Sequence, residues 1–584
     1  TNCKLQITDC VVLGANKQKS KIETMRILLT TLNAKYIHIN LAIRLLYELN
    51  HAEYEGLEMR EFTIKEDKEQ IAQQCAAYDI VCFSCYIWNI EQTLEVCAHI
   101  KRLRPACKIL LGGPEVSYEW EGVIALPFVD FIITGEGEVP FAEFLRHYPD
   151  NLQAVSSLVR KDAEGDALYN SEVRGFDLQN YAQMQPYRHD KPETLRNKVL
   201  YIETSRGCPY KCEFCLASLD NKVRYLPMES IKTMLLYLME HGRVIKFLDR
   251  TFNIKKLFTL EVFEFILQHH REGNVFQFEI TADILHADIV EFIQKRLPRG
   301  LFRFEIGVQT TNQVANREMQ RKQNFEKTAS MVRALQDKVE MHLDLIVGLP
   351  YDEWADVRRS VDEVFALYPP ELQLGFLKLL KGTPVRDKEE QHGLIFDKRA
   401  PYQRIESKYL SRAEIARIET MEEALELYWN KGRALHTLRY VHQTQGGIFD
   451  FLLGLGEFFA EKSDFHAHAL REVFDILLTY IEREHSTDAI LRQMVAVDYY
   501  LFQKGRPQPF ADAEVDKSLL HSEIERRHLP KTAGRYLALH LDFDWQAWTQ
   551  NAEILPAPDA WLWLLYEGQS KAQIVRISEA VGEI

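Results

Sequence analysis

Apolar residues along the chain recur in short runs bounded by glycine, proline or charge, and these runs alternate with amphipathic stretches. After residue 25 the runs MRILLTTL, YDIVCFSCYI, KILLGGP and FVDFIITGEG read as strands, with helical spacing between them, as in IEQTLEVCAHIKRLRP. A strand and helix rhythm of this kind predicts a doubly wound parallel sheet, in which ligands bind beyond the carboxyl ends of the strands. Those ends carry Asn33, then Ser84, Tyr86, Trp88 and Asn89, then Gly112, Gly113 and Pro114, then Gly135, Glu136 and Gly137. Glycine there admits the close approach of a bulky ligand, although tight turns in any such sheet also use it.

Residues 146–197 are polar and turn-rich and read as a connection. A second alternating region spans 198–400, with strands expected at VLYIETSRG, VIKFLDRTF, VFQFEITA, LFRFEIGVQ, MHLDLIVGLP and ELQLGFLKLL. Six such units fit a parallel sheet bent into most of a barrel, with its chemistry at the carboxyl ends of the strands. Glu203, Asp249, Glu279, Glu305, Gln309, Asp344 and Lys378 fall in or just after these runs. Residues 401–584 change to helical spacing and predict a mostly helical unit. Residues 1–24 have no clear period, and the structured part is expected to begin at Met25.

The chain has 584 residues, so several domains are expected of it. Its formal net charge of -14 argues against a surface that binds polyanions throughout. The basic segment IERRHLPKTAGR, 524–535, reads as a solvated helix face rather than a nucleic-acid site. No apolar run approaches the roughly 20 residues of a membrane span, and no signal peptide is evident, so the expected location is the cytoplasm. Neither G-x-G-x-x-G nor G-x-x-x-x-G-K-[ST] occurs, which disfavours dinucleotides and nucleoside triphosphates.

Ten cysteines are present, and residues 216–584 contain none. Cys82 and Cys85 form a C-x-x-C inside a buried-strand pattern and read as core residues. Cys208, Cys212 and Cys215 are different, because C-x-x-x-C-x-x-C follows a strand directly in YIETSRGCPYKCEFC. Three thiolates suit an iron-sulfur cluster with one iron left open; the alternative is structural zinc completed by a histidine, and His189 and His241 lack the usual close spacing. DFHAHA, 464–469, has no further ligand nearby in sequence and is a weak metal candidate.

The cysteine loop and the barrel resemble radical S-adenosylmethionine enzymes, over residues 198 to about 390. The resemblance implies a 4Fe-4S cluster on Cys208, Cys212 and Cys215, with S-adenosylmethionine on the open iron and reductive cleavage to a 5'-deoxyadenosyl radical. Phe214 matches the aromatic position near adenine, and FLDRTFN puts Asp249 where the family contacts the methionine amino group, although the usual G-G-E is absent. FEIGVQT points to Glu305 and Gln309 near the ribose and the methionyl carboxylate, and LDLIVGLP to Ile346 and Gly348 near adenine. LKLLKGTPV resembles a recurrent ending of the sixth strand. Taken singly, Glu305 and Asp249 also fit solvated carboxylates at strand ends.

With LLGGPE and ITGEGE, residues 25–145 resemble the cobalamin-binding domain of the cobalamin-dependent subclass. The D-x-H-x-x-G loop is missing and His38 does not replace it; SCYIWN, with Trp88 and Asn89, is the candidate cover of the lower cobalt face, unless Trp88 only fills an interface. The implied fold class is therefore α/β: a doubly wound, Rossmann-like cobalamin-binding domain, a partial (β/α)6 TIM-type radical barrel and a helical C-terminal domain that resembles an extension of unknown function. The implied activity is an oxygen-sensitive methyltransferase acting on an unactivated carbon of an unknown substrate, served by an external electron donor such as flavodoxin or ferredoxin. A non-methylating rearrangement or cyclisation and a non-catalytic cobalamin or redox sensor are the alternatives.

Overall fold

The computed structural model describes residues 25–465, 468–502, 525, 535–567 and 571–574. The extension 1–24, His466 and nearly all of the basic segment 524–535 lie outside the described residues.

Strand β1 (Ile27–Asn33) is buried at every position, as the middle of a covered parallel sheet requires. With β2 (Leu57–Thr63), β3 (Ile80–Ser84), β4 (Lys108–Gly112) and β5 (Phe131–Ile133) it forms a parallel sheet in the order β2-β1-β3-β4-β5. Helices α1 (Leu41–Asn50), α2 (Lys68–Cys75), α3 (Ile90–Leu103), α4 (Glu121–Ile124) and α5 (Glu138–His147) alternate with the strands. In this order the direction of strand addition switches between β1 and β3, and the crevice beyond their carboxyl ends is the ligand position of such sheets. Cys82 and Cys85 are core residues: Cys82 packs with Ile27, Leu29 and Phe141, and Cys85 with Val81, Phe83 and Val116 in a separate cluster. β2 was not expected from the sequence, because LEMREFT is an edge strand with only Leu57 and Phe62 fully buried.

The sheet continues antiparallel through β6 (Leu158–Lys161) and β7 (Ala167–Tyr169). Both strands lie in the stretch 146–197 that the sequence presents as a connection. β7 is exposed throughout, so it lacks the apolar alternation that marks a strand.

All six expected strands of the second region form, as β8 (Val199–Ile202), β11 (Val244–Phe247), β12 (Val275–Ile280), β13 (Phe302–Gln309), β14 (Glu340–Val347) and β15 (Glu371–Phe376). They are parallel in sequence order, with β8 and β15 at the two edges of the sheet. A short hairpin, β9 (Ser205–Arg206) and β10 (Arg224–Tyr225), brackets the cysteine loop. Outward positions of these strands, among them Phe247, Phe276, Phe278, Phe302 and Phe304, are fully buried in a stacked aromatic core under the helices.

Beyond residue 390, β16 (Ile395–Phe396) and β17 (Arg404–Glu406) form a small hairpin. Among the described residues, helices Arg412–Ala424, Leu435–Gln445, Phe449–Lys462, Leu470–Glu484 and Ala489–Phe502 follow, the first continued by a wider turn over Leu425–Asn430. A three-stranded antiparallel sheet, β18 (Arg535–Phe543), β19 (Pro556–Tyr566) and β20 (Gln573–Ile574), then packs on them. The helical expectation holds for the first half of this region and the sheet adds to it. No helix among the described residues is long and apolar enough to cross a membrane.

Candidate functional site

The cysteine loop begins where β8 ends. Thr204 and Ser205 anchor it, because both hydroxyls and the Thr204 N–H donate to Asp249 at 2.5 to 3.1 Å. Asp249 is buried, and burial pushes its carboxyl up to about 6 despite those three donors. The carboxylate expected to meet a ligand thus shapes the turn that presents the cysteines, with neither oxygen left free of a protein donor. Both anchors follow β8 directly, Thr204 in the turn and Ser205 at the start of β9, so Asp249 ties the end of β11 to the start of the cysteine loop.

Cys208 and Cys212 are buried and Cys215 is partly exposed. Burial raises the thiols of Cys208 and Cys212, and the charge of Cys215 raises both further, so the three sulfurs act on one another through space. Arg321 Nη1 lies 3.7 Å from Cys212 Sγ, and Thr251 Oγ1 lies 3.9 Å from Cys208 Sγ. A cation and a hydroxyl beside soft sulfur donors favour the thiolate form that a metal requires.

The middle of the loop is held from behind. Glu213 is buried; its oxygens take Gln320 Nε2 at 2.6 Å and Lys388 Nζ at 2.7 Å, and its backbone N–H donates to Met319 O. Arg321, Lys388 and Glu213 were not singled out in the sequence. Nothing in their spacing marks them, since each partner comes from more than 100 residues away. Phe214 is partly buried against Leu349, Leu377 and neighbouring apolar residues.

Midway along β13, Glu305 receives Lys246 Nζ at 2.7 Å on both oxygens. His342 lies 2.8 Å from Asp344, and burial pushes the neighbouring Glu279 carboxyl up. Gln309 sits at a register shift between β13 and β14 with φ of 67°. Its side-chain carbonyl is buried and has no partner in the protein. Its acceptor is thus left without a protein donor at the strand end, with the backbone in the left-handed region. Ile346 is partly buried one turn of the pleat before Gly348. Gly348 has φ of 92°, and a Cβ there would lie 2.1 Å from the guanidinium of Arg404. Arg404 is 2% exposed, and burial lowers its pKa to about 10. The region beyond residue 390 therefore closes over the end of β14.

In the first sheet the β1/β3 crevice is filled at its base by Asn89. Its Nδ2 donates to Leu32 O at 3.0 Å and Ser84 O at 3.2 Å, its Oδ1 accepts from Tyr86 N at 2.8 Å, and it is fully buried. Asn89 thus ties the loop to β1 and β3 through its side-chain amide. Trp88 is 48% exposed and stacks on Tyr86 at 4.4 Å, so the exposed aromatic surface of this loop is theirs. Asn33 donates to His38 O and to Glu61, and Ser84 O accepts from Thr31. Gly113, with φ of 105°, lets the turn after β4 pass the Cys85 carbonyl, where a Cβ would come within 2.6 Å; Gly112 precedes it and Pro114 follows. Gly135, with φ of 72°, is open around its Cα, and Gly137 leads into α5. Glu136 pairs with Arg206 and Arg224 and accepts from Phe176 N.

That pairing belongs to a seam. Segments after β4 and β5 meet segments after β15 and β8: Glu138 with Arg206 at 2.5 Å, Glu115 with Lys381 at 3.2 Å and with Tyr402, and Glu119 with Arg386 at 2.8 Å. The carboxyl ends of the two sheets are thereby held against each other. A cavity of about 720 Å³ lined by Pro192, Arg196, Gly242 and Asn274 lies at the opposite, amino-terminal end of the barrel strands.

Residues 27–145 match the B12 binding domain model, 202–364 the Radical SAM superfamily and 390–532 a protein family of unknown function, DUF4080. The chain is similar to the 2-(S-pantetheinyl)-carbapenam-3-carboxylate methyltransferase of Streptantibioticus cattleyicolor, 30% identical over 24% of this chain and 22% of that protein. It is 29% identical to the cobalamin-dependent radical SAM methyltransferase TokK of Streptomyces tokunonensis over 25% of this chain and 23% of that protein. These matches span under a quarter of either relative's own length. Among solved structures it is similar to the radical S-adenosylmethionine methyltransferase TsrM from Kitasatospora setae with cobalamin and a 4Fe-4S cluster bound, at a TM-score of 0.52 and 17% identity, over 65% of this chain and 76% of that one. It is also similar to the cobalamin-dependent S-adenosylmethionine radical enzyme OxsB with aqua-cobalamin bound, at a TM-score of 0.57 and 15% identity, over 82% and 79%. At such identities the structural likeness is one of fold.

Proposed function

We propose that this chain, which joins a B12-binding domain to a radical SAM domain and so belongs to the cobalamin-dependent radical S-adenosylmethionine family, is a methyltransferase acting on an unactivated carbon. The observation that most supports this reading is the seam: the strand ends expected to carry cobalamin and those expected to carry the cluster are ion-paired to one another. A methyl carrier and a radical source have to serve one substrate atom, and such a seam keeps their two sites together. We take 25–145, 198–400 and 401–584 as the functional units, with 146–197 joining the first two.

In this reading Cys208, Cys212 and Cys215 hold a 4Fe-4S cluster, and the neighbouring Arg321 and Thr251 fit its anionic sulfurs. Phe214, Glu305, Gln309, Ile346 and Gly348 surround S-adenosylmethionine, and the unpaired Gln309 carbonyl fits a ligand donor. Trp88, Tyr86 and the turns at 112–114 and 135–137 border cobalamin. Bound together, the three groups supply one-electron reduction, a carbon radical and a methyl carrier. The protein's own part is to hold the thiolates, orient the cosubstrate and exclude water. Arg404 and the segment after β15 contribute to that exclusion by covering the barrel end.

The deciding experiment is anaerobic reconstitution with iron, sulfide and cobalamin, followed by reduction with flavodoxin, ferredoxin or a chemical reductant and product analysis. Methyl transfer by this route yields S-adenosylhomocysteine and 5'-deoxyadenosine together. 5'-Deoxyadenosine alone would favour a rearrangement, and no cleavage at all would favour a sensor.

A further inference from the structure

Away from the seam's two strand-end sites, Glu48, His51 and His189 converge where α1 meets residues 185–190. One ligand atom from each lies within 4.8 Å of the other two. Glu48 and His51 form E-x-x-H across the last turn of α1, a spacing that puts both on one helix face. His189 arrives from 141 residues further along the chain.

The three side chains are already oriented. Glu48 is 6% exposed, and its two oxygens have different partners. Oε1 receives Arg188 at 2.6 Å and the Gln185 N–H at 3.2 Å, whereas Oε2 faces His189 Nε2 at 2.8 Å. His51 Nδ1 lies 3.1 Å from the Tyr47 carbonyl, so that nitrogen carries the proton and Nε2 keeps its lone pair. A carbonyl on one imidazole nitrogen and a donor on the far carboxylate oxygen are the outer-shell partners that metal-binding histidines and carboxylates use. Packing holds the rings as well: His51 stacks on Tyr47 at 5.1 Å and meets His189 at 4.4 Å.

We propose that Glu48 Oε2 and the imidazoles of His51 and His189 bind a divalent transition metal of zinc's chemistry, with water in the fourth position. Zinc takes imidazole nitrogen and carboxylate oxygen at about 2.0–2.2 Å, so a tetrahedral pair of such ligands stands roughly 3.3 Å apart. The 2.8 Å contact between Glu48 and His189 opens to that spacing by a small rotation, and the His51 ligand nitrogen, already within 4.8 Å of the other two ligand atoms, closes the rest by a small adjustment of the ring. Arg188 stays on Oε1, bonded to the ligating carboxylate. The metal would fasten the segment that leads into β8 to α1 of the first sheet, beside the buried pairing of Arg44 with Asp190 at 2.6 Å.

The test uses the full chain with its cysteine cluster reconstituted, so that thiolates do not compete, and zinc alone as the probe. Titration against a chromophoric chelator is expected to find one zinc per chain bound more tightly than about micromolar, with an X-ray absorption shell of nitrogen and oxygen near 2.0–2.1 Å and no sulfur. Loss of outer-shell partners alone costs 10–100-fold in such sites, so the His51→Gln, His189→Gln double variant is expected to lose more than about 100-fold in zinc affinity at unchanged iron content. No zinc beyond the cluster, sulfur in the shell, or full affinity in the double variant would overturn the proposal. If the double variant fails to fold, the wild-type absorption spectrum decides alone.

Discussion

Arg206 Nη2 lies 2.5 Å from Glu138 Oε1, so a side chain two residues before the first cysteine of the loop is bonded to the helix that follows β5 of the other sheet. The same guanidinium reaches Glu203 at 2.8 Å and the Tyr181 hydroxyl at 3.1 Å, and only 14% of it is exposed. A planar fork that serves three acceptors at once cannot be replaced by an ammonium. Arg206→Met leaves two largely buried carboxylates without their cation and is expected to cost about 3–5 kcal/mol. Denaturant midpoints measure this, with Arg206→Lys falling in between; a neutral Arg206→Met would show that this pairing does not hold the two sheets together.

The three cysteines carry the central prediction. Wild-type chain reconstituted without air is expected to hold roughly four irons and to show sulfur-to-iron charge-transfer absorption. The Cys208→Ala, Cys212→Ala, Cys215→Ala variant is expected to lose both, along with cosubstrate cleavage. Iron retained at wild-type level in that variant would refute the assignment.

Lys246 and Glu305 form a two-point ion pair at 2.7 Å, with Lys246 about a quarter exposed. Solvent screening lowers what the pair is worth, so Lys246→Met is expected to destabilise by about 1–2 kcal/mol. A cycle with Glu305→Gln should return a coupling energy of the same order. Cosubstrate affinity should fall with Glu305→Gln while iron content stays constant, which separates a ligand role from a structural one.

Asp498 links two C-terminal helices by accepting from the Thr437 N–H at 2.8 Å, the Thr437 hydroxyl at 2.7 Å and the His436 N–H at 3.2 Å. Burial nonetheless pushes its carboxyl up to about 7. The folded chain therefore binds a proton between roughly pH 4 and 7 that the unfolded chain does not. The stabilisation is complete below the unfolded pKa and is lost as pH rises through the folded one, a difference on the order of 3–4 kcal/mol. Stability is expected to fall from pH 5 to pH 8, and Asp498→Asn should flatten the slope; equal slopes in the two proteins would disprove the assignment.

Gly113→Ala tests the turn after β4. With φ of 105° and a Cβ placed 2.6 Å from the Cys85 carbonyl, the added methyl forces the backbone to shift. The expected cost is about 1–3 kcal/mol, with weakened cobalamin binding, read by calorimetry on the reconstituted chain. Gly135→Ala, whose Cβ would meet nothing within 4 Å, is the milder companion.

Most strands were legible because buried parallel strands must be apolar along their length, and a polar residue there falls at an end. β2 and β7 escaped for the converse reason, and β6, which lies between β5 and β7, has only two buried positions, Leu158 and Val159, to mark it. Edge strands such as LEMREFT and ALY satisfy half their backbone groups with water and need no apolar pattern. β19 illustrates a different ambiguity: its run AWLWLLY is as apolar as a buried helix, and periodicity cannot separate the two.

The chain by itself determined the cluster candidates, the six-stranded order and the glycine-bearing strand ends, because each is written in residue type at short spacing. Tertiary structure alone decided which polar groups are free to meet a ligand. It turned Asp249 and Asn89 inward to hold loops, left the Gln309 carbonyl without a partner, and brought Arg321, Lys388 and Arg404 to the barrel end. A hydrogen bond is a relation of distance in space, and the partners that satisfy these groups stand up to more than a hundred residues apart in the sequence.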